Sequence, residues 1–147
     1  MRLDDVIDLL RALPLFRNVD PEALRLLAFS AVRRQLRAGD ILFRRGDAAE
    51  GGYLVISGEI VLDQGDNGAP SSLVFGPGTL IGQMALFTLL QRPATAIARD
   101  ASAVLVFTRE LMLKVLDAHP RAAVQLKEAL AREVRDFADR TRRAASN

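Results

Sequence analysis

Along the first thirteen residues, Leu3, Val6, Ile7, Leu10 and Leu13 recur at three- and four-residue spacing, the mark of a helix with one apolar stripe. Pro14 ends that run, because proline disfavours helical backbone at the residue before it. Asp20-Pro21-Glu22 then offers a capping carboxylate with proline at the first helical position, and Leu24, Leu26, Leu27 and Phe29 supply the apolar positions of a second helix. These are the N-terminal helices, within residues 3–30. From Val32 the period shortens. Apolar runs at Val32–Arg37, Ile41–Arg44, Tyr53–Ser57, Glu59–Leu62, Ser72–Phe75, Thr95–Ala98 and Val104–Phe107 are separated by turn formers. Those are Ala38-Gly39-Asp40, Gly46-Asp47, Gly51-Gly52, Gly58, Gly65-Asp66-Asn67-Gly68 and Gly76-Pro77-Gly78. Many short strands with glycine turns predict a barrel, roll or sandwich over residues 32–107. Helical spacing returns after Thr108, a capping threonine, with Leu111, Leu113, Val115 and Leu116 placed to pack inward. Pro120 starts a last helix, and Val124, Leu126, Leu130, Val134 and Phe137 give it an apolar stripe over most of Ala122 to Arg143. C-terminal helices thus occupy residues 108–143.

The predicted class is α+β: a β-roll, a jelly-roll-like antiparallel barrel, flanked by N-terminal helices and a long C-terminal helix. A chain of 147 residues has room for one such domain, spanning 1–147, with no internal repeat or low-complexity linker. Half of the residues are hydrophobic and 26% are charged, the balance of a folded globular chain rather than a disordered one. There is no cysteine and a single histidine, so disulfides, thiolate ligands and histidine-rich metal centres have no residues to draw on. His119, just before Pro120, reads as a helix-junction residue. No paired nucleophile and base is recognisable, so neither a catalytic nor a metal site is expected and the protein is not read as an enzyme. A net charge of +2 comes from interspersed residues. Even the densest basic stretch, Arg132 to Arg143, is diluted by Glu133, Asp136 and Asp139, which makes it a solvated helix face and not a nucleic-acid footprint. Met1-Arg2-Leu3-Asp4-Asp5 does not open a signal peptide, and no apolar run approaches the ~20 residues that span a bilayer, so a cytoplasmic protein with no membrane association is expected.

One segment carries chemistry. Ile81-Gly82-Gln83-Met84-Ala85-Leu86-Phe87 follows a glycine-rich turn, and Arg92-Pro93-Ala94-Thr95-Ala96 begins nine residues after Gln83. Backbone N–H groups at the start of a small helical turn can point at phosphate oxygens, and Gly82 permits close approach to the chain. Arg92 adds a fixed charge and a fork of donors. Its alternative is a surface arginine bridging to a loop carboxylate. Gly82 and Ala94 read either as points of close ligand approach or as plain turn residues. Met84 and Ala85 read as core of the short helical turn or as contacts, and Thr95 is as much at home in a strand as against a ligand.

The segment 81–96 resembles the phosphate-binding cassette of the cyclic-nucleotide-binding domain family, shared by catabolite-activator-type regulators, cyclic-nucleotide-dependent kinases and nucleotide-gated channels. That pattern runs Gly-Glu-Leu/Met-Ala-Leu and then Arg-x-Ala-Thr/Ser, with the same nine-residue offset. Ala38-Gly39-Asp40-Ile41-Leu42-Phe43, Gly46-Asp47 and Tyr53-Leu54-Val55-Ile56-Ser57-Gly58-Glu59-Ile60 resemble the family's early strands, and the likeness runs from Leu3 to Arg143. It implies a ligand site at Gly82, Gln83, Met84, Ala85, Arg92, Ala94 and Thr95, with Arg92 pairing with the cyclic phosphate. It implies a cyclic nucleotide as ligand, cyclic AMP or cyclic GMP, and no other cofactor. Two positions depart from the pattern. Gln83 stands where the family has a glutamate that accepts from the ribose 2′-hydroxyl, which costs about 1 kcal/mol of charge-assisted bonding. Pro93 has no N–H to offer.

The resemblance implies a regulatory domain that signals through its C-terminal helix, a lid over the base and a dimer interface in the family, to a second copy or a separate effector. The helix could equally pack on its own β-roll. The alternative is a degenerate copy of the fold that no longer binds nucleotide and serves as an interaction or dimerisation module. With the chain ending at Asn147, no helix-turn-helix follows the last helix, so direct DNA binding is not expected.

Overall fold

The carboxylate of Asp20 accepts the Glu22 N–H at 3.0 Å, so the predicted cap does open α2 (Pro21–Ser30), after α1 (Leu3–Arg11). The computed structural model describes residues 1–63 and 72–146 and divides them into two units, 1–28 with 115–146, and 29–114. In the first unit, Val6, Leu10, Leu15, Phe16, Leu24 and Leu27 are buried, as are Ala122, Leu126 and Ala129 of α4 (Pro120–Ser146). The Asp20 N–H donates to the Gln125 side-chain oxygen at 2.8 Å, tying the approach to α2 onto α4.

The second unit is the β-roll, with ten antiparallel strands among the described residues. They are β1 (Val32–Leu36), β2 (Ile41–Phe43), β3 (Ala48–Ala49), β4 (Gly51–Ser57), β5 (Ile60–Asp63), β6 (Ser72–Phe75), β7 (Leu80–Ile81), β8 (Leu90–Gln91), β9 (Thr95–Ala98) and β10 (Ser102–Thr108). One sheet runs β1-β10-β4-β7, a second β2-β9-β5-β6, and β3 pairs with β8 alone. Leu36, Leu42, Phe43, Val55, Ile60, Ile81, Ala96, Ala98 and Val104 form the core of the roll. Thr108 caps α3 (Arg109–Ala118), its hydroxyl accepting the Leu111 N–H at 3.0 Å. Among the described residues, no helix is long and apolar enough to cross a membrane. The predicted turn at Gly65–Gly68 lies outside them.

Two turns seven residues apart share one design. In Arg37-Ala38-Gly39-Asp40 and Arg44-Arg45-Gly46-Asp47, the aspartate carboxylate accepts the arginine N–H at 2.8 and 2.9 Å. In each, the aspartate N–H donates back to the arginine carbonyl at 3.0 Å. The glycines, at φ +89° and +88°, then turn their N–H groups onto a distant strand end: Gly39 onto the Ala98 carbonyl and Gly46 onto that of Arg92. The second of these turns sets the backbone of the residue on which the site depends.

The structure corrects several packing expectations. Phe29 is exposed because Ala23, Leu24, Leu27 and Ala28 already occupy the buried face of α2 and Phe29 lies a further rotation on. In α3, Met112 and Val115 are buried at three-residue spacing while Leu113 points outward. In α4 the buried phase is Ala122, Leu126 and Ala129, leaving Val124, Val134 and Phe137 exposed. Strands β3, β7 and β8, two residues each, had no sequence signature. At that length there is no alternation to detect, and only the partner's position makes them strands.

Candidate functional site

Gly82 adopts left-handed backbone, φ +75°, and turns the chain from β7 into a single 3₁₀ turn at Gln83–Leu86, closed by the Ala85 N–H donating to the Gly82 carbonyl at 3.1 Å. Arg92 follows β8, whose pairing with β3 brings it beside the Arg44–Asp47 turn. Its N–H donates to the Asp47 carbonyl and its own carbonyl accepts the Gly46 N–H, both at 2.8 Å. The backbone of Arg92 is thereby held at two points.

The side chain is buried, with 4% of its surface exposed, so the alternative of a surface arginine does not hold. Its Nη2 donates to the Gly51 carbonyl at 2.7 Å. The guanidinium carbon lies 4.4 Å from the ring centre of Phe43 and 5.4 Å from that of Tyr53, and the two rings stack on each other at 5.8 Å. Ring faces attract a cation, and partial desolvation strengthens the attraction. A Cβ at residue 82 would lie 2.5 Å from Nη1, so the guanidinium rests in the space that the glycine leaves. Gly51 is as constrained: a Cβ there would meet the Phe107 carbonyl oxygen at 2.0 Å. Burial pushes the Arg92 pKa down, and Tyr53 and then Asp47 pull it partly back. Among the described residues no carboxylate forms an ion pair with it.

The result is a recess of about 210 Å³ with one cation in an otherwise largely apolar wall. Of the residues picked out in the sequence, Gly82, Gln83, Met84, Arg92 and Ala94 line it together, along with Pro93. Met84 is exposed and is not core. Ala85 is fully buried, its carbonyl accepting from Arg109, and the Thr95 hydroxyl accepts the Arg45 N–H at 3.0 Å. Phe43, Leu62, Ile81 and Leu90 complete the lining and were not singled out from the sequence. They come from strands whose register alone turns them to this recess. Tyr53 and Arg109 were missed for the same reason, each looking in sequence like an ordinary strand or helix-start residue. Among the described residues no cluster of side chains suits a metal ion.

The family profile of the cyclic nucleotide-binding domain matches residues 33–119. The cyclic AMP receptor protein of Thermus thermophilus is 33% identical over 125 residues, covering 84% of this chain and 58% of that protein. Lysophospholipase nte1 of Neurospora crassa is 31% identical over 121 residues, 81% of this chain and 8% of its own length. The chain thus spans a minor part of that relative and little over half of the receptor. Among solved structures, the N-terminal domain of a transcriptional regulator from Streptomyces coelicolor A3(2) superposes with a TM-score of 0.84 at 33% identity, covering 91% of this chain and 95% of that one.

Proposed function

The chain belongs to the cyclic nucleotide-binding domain family, a regulatory-domain family, and we propose that it binds a cyclic nucleotide, or a related phosphorylated small molecule, in the recess beside Arg92. One observation carries this reading: a guanidinium buried among ring faces and one carbonyl, with no ion-pair partner among the described residues, at the wall of an open apolar recess. A buried charge without a counter-ion is costly, and an arriving phosphate monoanion supplies one, with paired oxygens that can accept two N–H bonds from a guanidinium. At about 210 Å³ the recess is smaller than the cavities that enclose whole ligands, so the phosphate and sugar occupy it and the base projects beyond. Gln83 lines the same recess and accepts from the sugar. Cyclic AMP is the first ligand to try, since a relative at 33% identity is named as its receptor.

The domain acts by shifting between conformations that differ in ligand affinity, not by catalysis. Exposed Val124, Val134 and Phe137 support α4 as the element that meets a second copy or an effector. The test is a thermal-shift titration with cyclic AMP and cyclic GMP at millimolar concentration. A ligand of the native state raises Tm as its concentration exceeds Kd. A rise in the wild type that vanishes in Arg92→Ala supports the reading; no rise in the wild type with either nucleotide refutes both cyclic AMP and cyclic GMP as its ligand.

A further inference from the structure

Arg109 is the first residue of α3, and its side chain turns back into the β-roll. A single nitrogen, Nη1, donates to the carbonyls of Ala85 at 3.0 Å, Thr88 at 3.2 Å and Ala49 at 2.9 Å. The Arg109 N–H donates to the Glu50 carbonyl at 2.7 Å. Ala85 lies in the 3₁₀ turn and Thr88 two residues past its end, and the other acceptors belong to β3 and the link from it to β4. A one-turn 3₁₀ helix has poor internal geometry and leaves its last carbonyls without partners in the helix. Ala85 and Ala49 are buried, so water does not readily stand in for the missing donor.

Resting on the ligand recess described above, we propose that Arg109 is its positioning residue: it holds the Gln83–Thr88 segment in the shape that lines the recess and ties that segment to the first turn of α3. It does not touch the recess itself. The geometry is local, since the cassette carbonyls and the α3 N-terminus meet at one guanidinium nitrogen.

The test measures amide hydrogen exchange in the ligand-free protein and cyclic AMP affinity by calorimetry, for wild type, Arg109→Ala, Arg109→Gln and Arg109→Lys. Loss of the charged donor is expected to speed exchange of the Gln83–Thr88 amides by about tenfold in Arg109→Ala and Arg109→Gln, leaving Val104–Phe107 in β10 unchanged. Arg109→Lys, which keeps a charged donor, recovers part of the protection. Cyclic AMP affinity falls in the same order as the protection. Wild-type exchange over 83–88 in a folded Arg109→Gln overturns the proposal, and so does a uniform rise across the β-roll, which marks a general structural role. Should Arg109→Ala not fold, the glutamine and lysine variants decide the same point. A wild type that does not bind cyclic AMP defeats the ligand reading alone, because the exchange measurement needs no ligand.

Discussion

Replacing Gly82 with alanine probes the packing on which the site depends, and the expected cost follows from two separate features of residue 82. The backbone is left-handed, φ +75°, which costs an L-residue with a Cβ about 1–2 kcal/mol. The new Cβ would also lie 2.5 Å from Arg92 Nη1, closer than real contacts allow. An exposed arginine would swing away at little cost. Arg92 is buried, bonded to the Gly51 carbonyl at 2.7 Å and stacked against two rings, so yielding weakens a charge-assisted bond and a cation–π contact, worth about 1–2 kcal/mol together for a partial shift. Gly82→Ala should therefore lose about 2–4 kcal/mol in the wild type. In an Arg92→Ala background only the backbone term remains, about 1–2 kcal/mol, which leaves a coupling of about 1–2 kcal/mol between the two sites. Urea unfolding of the four proteins, with m held common, measures it. If the two substitutions add to within about 0.5 kcal/mol, the guanidinium does not occupy the space above Gly82, and the packing described here is wrong.

Two further outcomes follow from the same residues. Burial lowers the folded-state pKa of Arg92, so the unfolded chain holds the proton more tightly, and at neutral pH the charge itself opposes folding; stability would rise only as pH climbs through the window between the two values. Arg92→Met, which keeps an unbranched apolar stem and removes the charge, should consequently stay within about 1.5 kcal/mol of wild type by urea unfolding while losing nucleotide binding, and a larger loss would mean that the ring and carbonyl contacts outweigh desolvation. Gln83→Glu puts a carboxylate in the wall of the recess and should tighten cyclic AMP binding about tenfold by calorimetry, through a charge-assisted bond to the sugar. Unchanged or weaker affinity would remove residue 83 from the sugar contacts.

Much of the fold was legible because it is written in local rules. Asp20 and Thr108 announce helix starts through short-range capping. Short apolar-rich runs bounded by turn formers, such as Thr95–Ala98 and Ser72–Phe75, match the strands residue for residue, since a strand is legible wherever it is long enough to stand out between turns. The cassette was equally local: Gly82, Gln83 and Arg92 stand at fixed offsets in one stretch of chain. What was not legible depends on partners far away in sequence. Helical spacing alone did not tell Leu113 from Met112, or Phe29 from Ala28, because apolar residues on adjacent phases compete and the packed surface selects one.

The same division runs through the site. That an arginine follows a glycine-led turn at the offset the family uses is plain in the chain, because these positions share one short segment. The state of that arginine depends on folding. The twin turn at Arg44–Asp47 grips its backbone from 45 or more residues upstream, Gly51 receives its side chain, and Phe43 and Tyr53 cover it, all through strand register that no local pattern encodes. Arg109 belongs to this second class too: the spacing to Ala49, Ala85 and Thr88 has meaning only once β3, the cassette turn and α3 are folded against one another, since a hydrogen bond reads distance in space and not along the chain.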